Sequence, residues 1–280
     1  MGKNNKTIVY WAPIWDLMED VVDWNMLYSE PENLFSVMLD DRTQRAPGVE
    51  YNLPLNKPKT EHNHSMFRCP AISNITKNTF LLRNTIETHL KIDPPDYNKK
   101  TPPGITPELD DTRIKYHSKN YTNCNLIHQS NLSGSELFVY ALRWIFFTED
   151  DSLNMNLTSP WFTNSPHMKY GSIIPGQFDV GKWFRSITLE NNLWPDNNEF
   201  KILADEIAGY VSFETPNDVE LVRFQMNEPL TKYSRSTATS SSWYTNVPLL
   251  KRYKMFENSK MKRLIMKEIN KNLNLFHIHL

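Results

Sequence analysis

A chain of 280 residues with 39% hydrophobic and 12% aromatic residues is long enough to bury one large core or two small ones, and its aromatic content argues against disorder. Two cysteines, Cys69 and Cys124, exclude a disulfide framework and a four-cysteine zinc site. With 31 Lys+Arg against 32 Asp+Glu the net charge is −1, which excludes a protein that coats nucleic acid through bulk charge alone.

The chain opens on a polar stretch and turns apolar at Ile8, but Asp16, Glu19 and Asp20 follow too soon for an apolar signal core, so no secretory signal is expected. Lys6 stands where a myristoylation signal needs a hydroxyl. Residues 13–40 read as helical, with Pro13, Leu17, Val21 and Val22 on one face, a break at Glu30-Pro31 and a short helix over 32–39.

His62-Asn63-His64 has the spacing that puts two imidazoles on one face of a strand, about 7 Å apart. Glu87 and His89 on a neighbouring strand would complete a site for iron or another divalent metal. The cupin pattern requires a Glu a few residues beyond the His pair, where this chain has Met66, Phe67, Arg68 and Cys69. The His-x-Asp/Glu tripeptide of iron/2-oxoglutarate oxygenases is absent.

Residues 79–82 and 86–92 read as strands flanking a short turn. Five prolines in residues 94–111 exclude a helix or a central strand and predict an irregular surface loop. Residues 113–117 resume an alternating strand. Residues 137–147 form an apolar run too short to span a bilayer, and their β-branched and aromatic content predicts a strand. The turn at 149–152 and the alternation over 153–157 complete a predicted long hairpin.

Gly171, Gly176 and Gly181 fall within eleven residues of a glycine-poor chain, so each is expected to set a backbone shape. Beside them, Lys182, Trp183 and Arg185 could present cations and an aromatic face to a ligand or phosphate. The same residues also fit a tight β-corner with its aromatics in the core and its cations paired to acids. Residues 207–214 and 219–226 form a second predicted hairpin around 215–218.

After a polar linker at 236–242, residues 248–275 read as an amphipathic helix with Met255, Leu264, Ile265, Ile269 and Leu273 at helical spacing. It carries Lys251, Arg252, Lys254, Lys260, Lys262, Arg263, Lys267 and Lys271 against Glu257 and Glu268, a net +6 that leaves −7 for the rest of the chain. Such asymmetry can mark a surface for nucleic acid or an acidic partner, but a C-terminal amphipathic helix docked on an acidic body with its lysines in water is the commoner arrangement.

The expected fold is mostly β (α+β): a β-sandwich or jelly-roll core with an N-terminal helical segment and a C-terminal amphipathic helix. Residues 1–247 would form one β-rich domain, and 248–280 a basic helix packed on it or extending from it.

Several segments together resemble a known family. They are Trp11-Ala12-Pro13, Asp23-Trp24-Asn25-Met26-Leu27-Tyr28, Glu30-Pro31-Glu32-Asn33-Leu34, Arg68-Cys69-Pro70-Ala71, Lys77-Asn78-Thr79-Phe80, Gly181-Lys182-Trp183-Phe184-Arg185, the strand pair around Phe213 and Phe224, and Arg252-Tyr253. The combination resembles an uncharacterised protein family of T4-like, chiefly marine, tailed phages over nearly the whole chain. Met226-Asn227-Glu228-Pro229-Leu230 is more distantly similar to a bacterial domain family of unknown function. The resemblance implies a viral source, with a place in the host cytoplasm or the virion, and supplies no catalytic residues.

No Gly-rich phosphate loop, GxSxG elbow, Cys-x-x-Cys or His-Glu-x-x-His motif occurs. The reading is therefore a binding or structural accessory protein without catalysis or cofactor, acting on a phage or host protein and not on a membrane. Two alternatives stay open. One is a cupin-like or iron/2-oxoglutarate-type metalloenzyme using His62, His64, Glu87 and His89. The other is a nucleic-acid or host-factor binder using Lys251, Arg252, Lys254, Lys260, Lys262, Arg263 and Lys267.

Overall fold

The computed structural model describes residues 6–14, 30–40, 69–84, 87–92, 105–107, 137–195, 197–237 and 248–273. These are mostly β. In β1 (Lys6–Pro13), Val9 and Trp11 enter one apolar cluster, while Tyr10 and Ala12 join another on the opposite face. In β6 (Leu137–Phe147), Trp144 and Phe146 alternate with Ile145 and Phe147 in the same way. A strand covered on both faces needs apolar residues at both parities, which accounts for the consecutive apolar residues Trp144 to Phe147 that follow Arg143.

Both strands lie in a five-stranded sheet of order β13-β1-β6-β10-β8, completed by β8 (Gly171–Ile173), β10 (Ser186–Leu193) and β13 (Asp218–Arg223). The β1–β13 pair is parallel; the other pairs in this sheet are antiparallel. A second five-stranded sheet runs β2 (Glu32–Asn33), β3 (Thr79–Arg83), β12 (Ile207–Phe213), β7 (Asn154–Thr158), β9 (Gly176–Asp179). A small sheet joins β11 (Glu199–Ile202), β4 (Thr88–Ile92) and β5 (Ile105–Pro107).

All three sheets contribute to the largest core cluster: Trp11, Trp144 and Phe146 from the first, Phe80, Val211 and Phe213 from the second, Leu90 and Phe200 from the third. The other face of the first sheet carries α3 (Glu228–Thr237), α4 (Leu249–Glu257) and α5 (Met261–Asn272), whose Leu230, Phe256, Ile265 and Ile269 pack with Ile145 and Phe147. The other face of the second sheet carries α1 (Leu34–Asp40) and α2 (Pro70–Lys77), which set Leu34, Val37 and Ile72 on Leu81 and Tyr210.

Neither predicted hairpin forms. β6 and β7 lie in different sheets because both edges of β6 are taken by β1 and β10. The turn between them is tied toward β9 by Asp179, whose carboxylate accepts from Ser152 Oγ at 2.7 Å and the Leu153 N–H at 3.1 Å. β12 and β13 also separate. Buried Asn78 holds that crossover: its Nδ2 donates to the carbonyls of Thr215 and Asn217 at 3.1 and 2.8 Å, and its Oδ1 accepts from the Val219 N–H at 3.0 Å.

β3 and β4 likewise belong to separate sheets, with Asn84 between them hydrogen bonded to the backbone of Leu203 and Glu206. The proline-rich span contains β5, which among the described residues is an edge strand paired with β4 and ends on Pro107, where a missing N–H is tolerated. Pro13 ends β1 and starts no helix; α1 begins at Leu34. The predicted helical stretch around Leu17, Val21 and Val22, the strand at 113–117 and Cys124 lie outside the described residues.

The predicted single tail helix is two helices broken around Ser259, whose hydroxyl donates to the Phe256 carbonyl and accepts from the Met261 N–H. α3 falls between the predicted strand at 219–226 and the predicted polar linker at 236–242, where no element is expected, and takes in the first two linker residues.

Candidate functional site

The tail helices are not appendages. On α5, Ile265, Met266 and Ile269 are buried in the cluster beneath the first sheet, and Asn272 is buried beside them on the same side. Lys262 lies at the edge of this buried side and reaches the turn after β6: its Nζ donates to the Asp150 carbonyl at 2.6 Å and stands 3.9 Å from the Asp151 carboxylate. With about 3.6 residues per turn, positions 260, 263 and 267 fall on the opposite side. There Lys260, Arg263 and Lys267 are exposed and form no ion pair among the described residues. Lys271 on the same side is bound to Glu268.

Lys260, Lys262, Arg263 and Lys267 line an open cleft of about 800 Å³ between α5 and Glu149. Leu264 and Met266 supply apolar surface, and Ser259 and Asn270 complete the lining among the described residues. Four cations therefore face one carboxylate. Four of the seven basic residues predicted to bind a partner meet here. Lys251, Arg252 and Lys254 sit on α4 instead, with Arg252 half-buried and the two lysines exposed.

The glycine-marked corner is where α4 docks. Trp183 is 5% exposed, and its ring lies 4.4 Å from that of Tyr253. Lys182 bridges Asp179 at 3.4 Å and Glu257 at 3.3 Å, and the hydrogen bond to Glu257 raises its pKa. Arg185 is half-buried close to Tyr253, whose pKa is raised chiefly by burial. Two of the three residues proposed for ligand binding, Lys182 and Trp183, thus hold a helix against the sheet, with Arg185 beside them.

Of the proposed metal ligands, Glu87 pairs with Lys201 at 3.0 Å and His89 with Glu199 at 3.3 Å, both across to β11. His62 and His64 lie outside the described residues. Among the described residues no group of three His, Cys, Asp or Glu side chains is placed to hold a metal ion.

One constellation escaped the sequence reading. His167, in a 3-10 turn (Pro166–Lys169), places Nδ1 2.8 Å from Glu206 Oε1, and their side chains are 2% and 6% exposed. Burial lowers the pKa of His167 more than Glu206 raises it, so the ring is neutral and donates. Its burial bars a substrate, and the pair acts as a tie between loops. The two residues stand 39 positions apart, with no local pattern to join them.

No protein-family model matches the chain, and comparisons with curated proteins and with solved structures gave no match.

Proposed function

We propose that the protein is a non-catalytic binding protein that takes an acidic partner on the basic outer side of α5. The observation that carries this reading is the division of one helix into a buried apolar side and an exposed row of Lys260, Arg263 and Lys267 along an open cleft. Cations whose only role was solubility would need no concave surface beside them. We take the two five-stranded sheets as a β-sandwich with helices on its outer faces, a scaffold that leaves function to such surface sites. The family resemblance adds a phage-encoded origin, with action in the host cytoplasm or the virion.

Charge substitution tests the reading cleanly; truncation does not, because α4 and α5 contribute Phe256, Ile265, Met266 and Ile269 to the core. Fluorescently labelled polyglutamate and heparin, titrated at rising salt, should bind wild type with affinity that falls steeply as screening increases. The Lys260→Gln/Arg263→Gln/Lys267→Gln variant should lose that binding while keeping its thermal midpoint. Equal binding by wild type and variant would remove the reading.

A further inference from the structure

We propose that the occupant of the α5 cleft is a short acidic polypeptide segment carrying an apolar side chain, not a nucleic acid; this rests on the anionic-partner reading above. Three features favour it. The cleft presents apolar surface from Leu264, 42% exposed, beside the cations, and a phosphate backbone has nothing to place there. No aromatic residue is among its described lining residues, so bases would find no stacking platform. The charge outside the tail segment is −7, so a long polyanion would leave the cleft and run over a repulsive body. A short segment instead stays within about 10 Å of the cations, inside the screening length at 0.1 M salt.

The dimensions set the length of the segment. From Lys260 to Asn270 the helix rises about 15 Å at 1.5 Å per residue. That span matches about five extended residues at roughly 3.3 Å each. Acidic side chains would meet Lys260, Arg263 and Lys267, and an apolar one would cover Leu264. Glu149 on the far wall opposes every anionic occupant.

The test uses the full chain and four labelled probes at low salt: the peptide Glu-Leu-Glu-Glu-Leu-Glu, hexaglutamate, and single- and double-stranded oligodeoxynucleotides. The leucine-containing peptide should bind at least about fivefold tighter than hexaglutamate, as burial of part of a leucine side chain predicts. Leu264→Ser should erase that difference and leave hexaglutamate unchanged, and Glu149→Gln should tighten both peptides. Equal affinity of the two peptides, or tighter binding of either oligonucleotide, overturns the proposal. If the oligonucleotides bind best and the triple glutamine variant loses them, the anionic-partner reading survives and this inference falls. If wild type binds no probe, both fall.

Discussion

Glu206 accepts two hydrogen bonds from His167 on one carboxylate oxygen: the backbone N–H at 2.6 Å and Nδ1 at 2.8 Å. Its other oxygen accepts the Leu203 N–H at 2.8 Å, and its own carbonyl accepts the Asn84 N–H at 2.8 Å. One side chain thereby joins the 3-10 turn to the β11–β12 turn, while its backbone reaches the β3–β4 connection. Glu206→Ala would leave two buried donors of His167 and the part-buried Leu203 N–H without an acceptor. At about 1–3 kcal/mol for each orphaned group, a loss of about 3 kcal/mol or more is expected in urea unfolding. A loss under about 1 kcal/mol would mean that water satisfies these donors and the tie is dispensable.

The same pair predicts a pH dependence. Burial holds His167 neutral in the folded state, with its pKa below the ordinary value. As pH falls through about 6.5, the unfolded chain takes up a proton that the folded chain resists, so stability declines from that point downward. His167→Gln removes the titrating group and should flatten this part of the profile. The check is the urea midpoint of both proteins between about pH 8 and pH 5.5; parallel declines would assign the slope to other groups.

The glycine-rich corner makes a third prediction, and the cause is space, not left-handed backbone. A Cβ on Gly181 would lie 2.5 Å from the Asp150 carbonyl oxygen, and one on Gly171 would lie 2.3 Å from that of Asn192. Both obstacles are backbone in paired or turn segments and cannot yield cheaply. A Cβ on Gly176 would meet the Phe178 ring at 2.9 Å, and that ring is only partly buried. Gly171→Ala and Gly181→Ala should each cost about 1–3 kcal/mol, as overpacking does, and Gly176→Ala should cost less. Thermal denaturation of the three variants would show the ranking; Gly176→Ala as the worst would contradict it.

These cases mark what the sequence could and could not disclose. Alternation and β-branched content located β3, β6, β7 and β12, because those signals are local. Pairing was not local. A two- to four-residue polar turn reads the same whether it closes a hairpin or hands the chain to another sheet. The choice here is made by Asp179 and Asn78, each distant in sequence or set outside the turn it controls. The start of α3 was legible in principle: the Asn227 side-chain oxygen caps the Leu230 N–H at 2.9 Å, and Pro229 stands in the first turn. The basic character of α5 was plain in composition, and helical spacing placed Ile265 and Ile269 on the buried side, but it also put Leu264 and, on α4, Met255 there, which are 42% and 51% exposed, and it missed buried Met266. The cleft was not legible, because its far wall, Glu149, comes from the turn after β6, more than a hundred residues earlier.

Asn78 offers the sharpest test of how the crossover is held. It is 5% exposed and uses both amide hydrogens and its oxygen on the backbone of residues 215–219. Asn78→Ala would strand two carbonyls and one N–H, and a loss of about 2–4 kcal/mol is expected from groups only partly reached by water. Asn78→Asp separates the donor role from the acceptor role. It keeps the acceptor for Val219 but sets a carboxylate against the Thr215 and Asn217 carbonyls, so at neutral pH it should be more damaging than alanine. That carboxyl group would titrate above its ordinary range, because burial and facing carbonyls disfavour its charge. On acidification toward about pH 5 the folded variant takes up the proton before the unfolded chain does, so the gap between the aspartate variant and wild type should narrow. Denaturant midpoints of wild type and both variants at the two pH values decide the matter. A gap that widens on acidification would show that the amide hydrogens are not what holds the crossover.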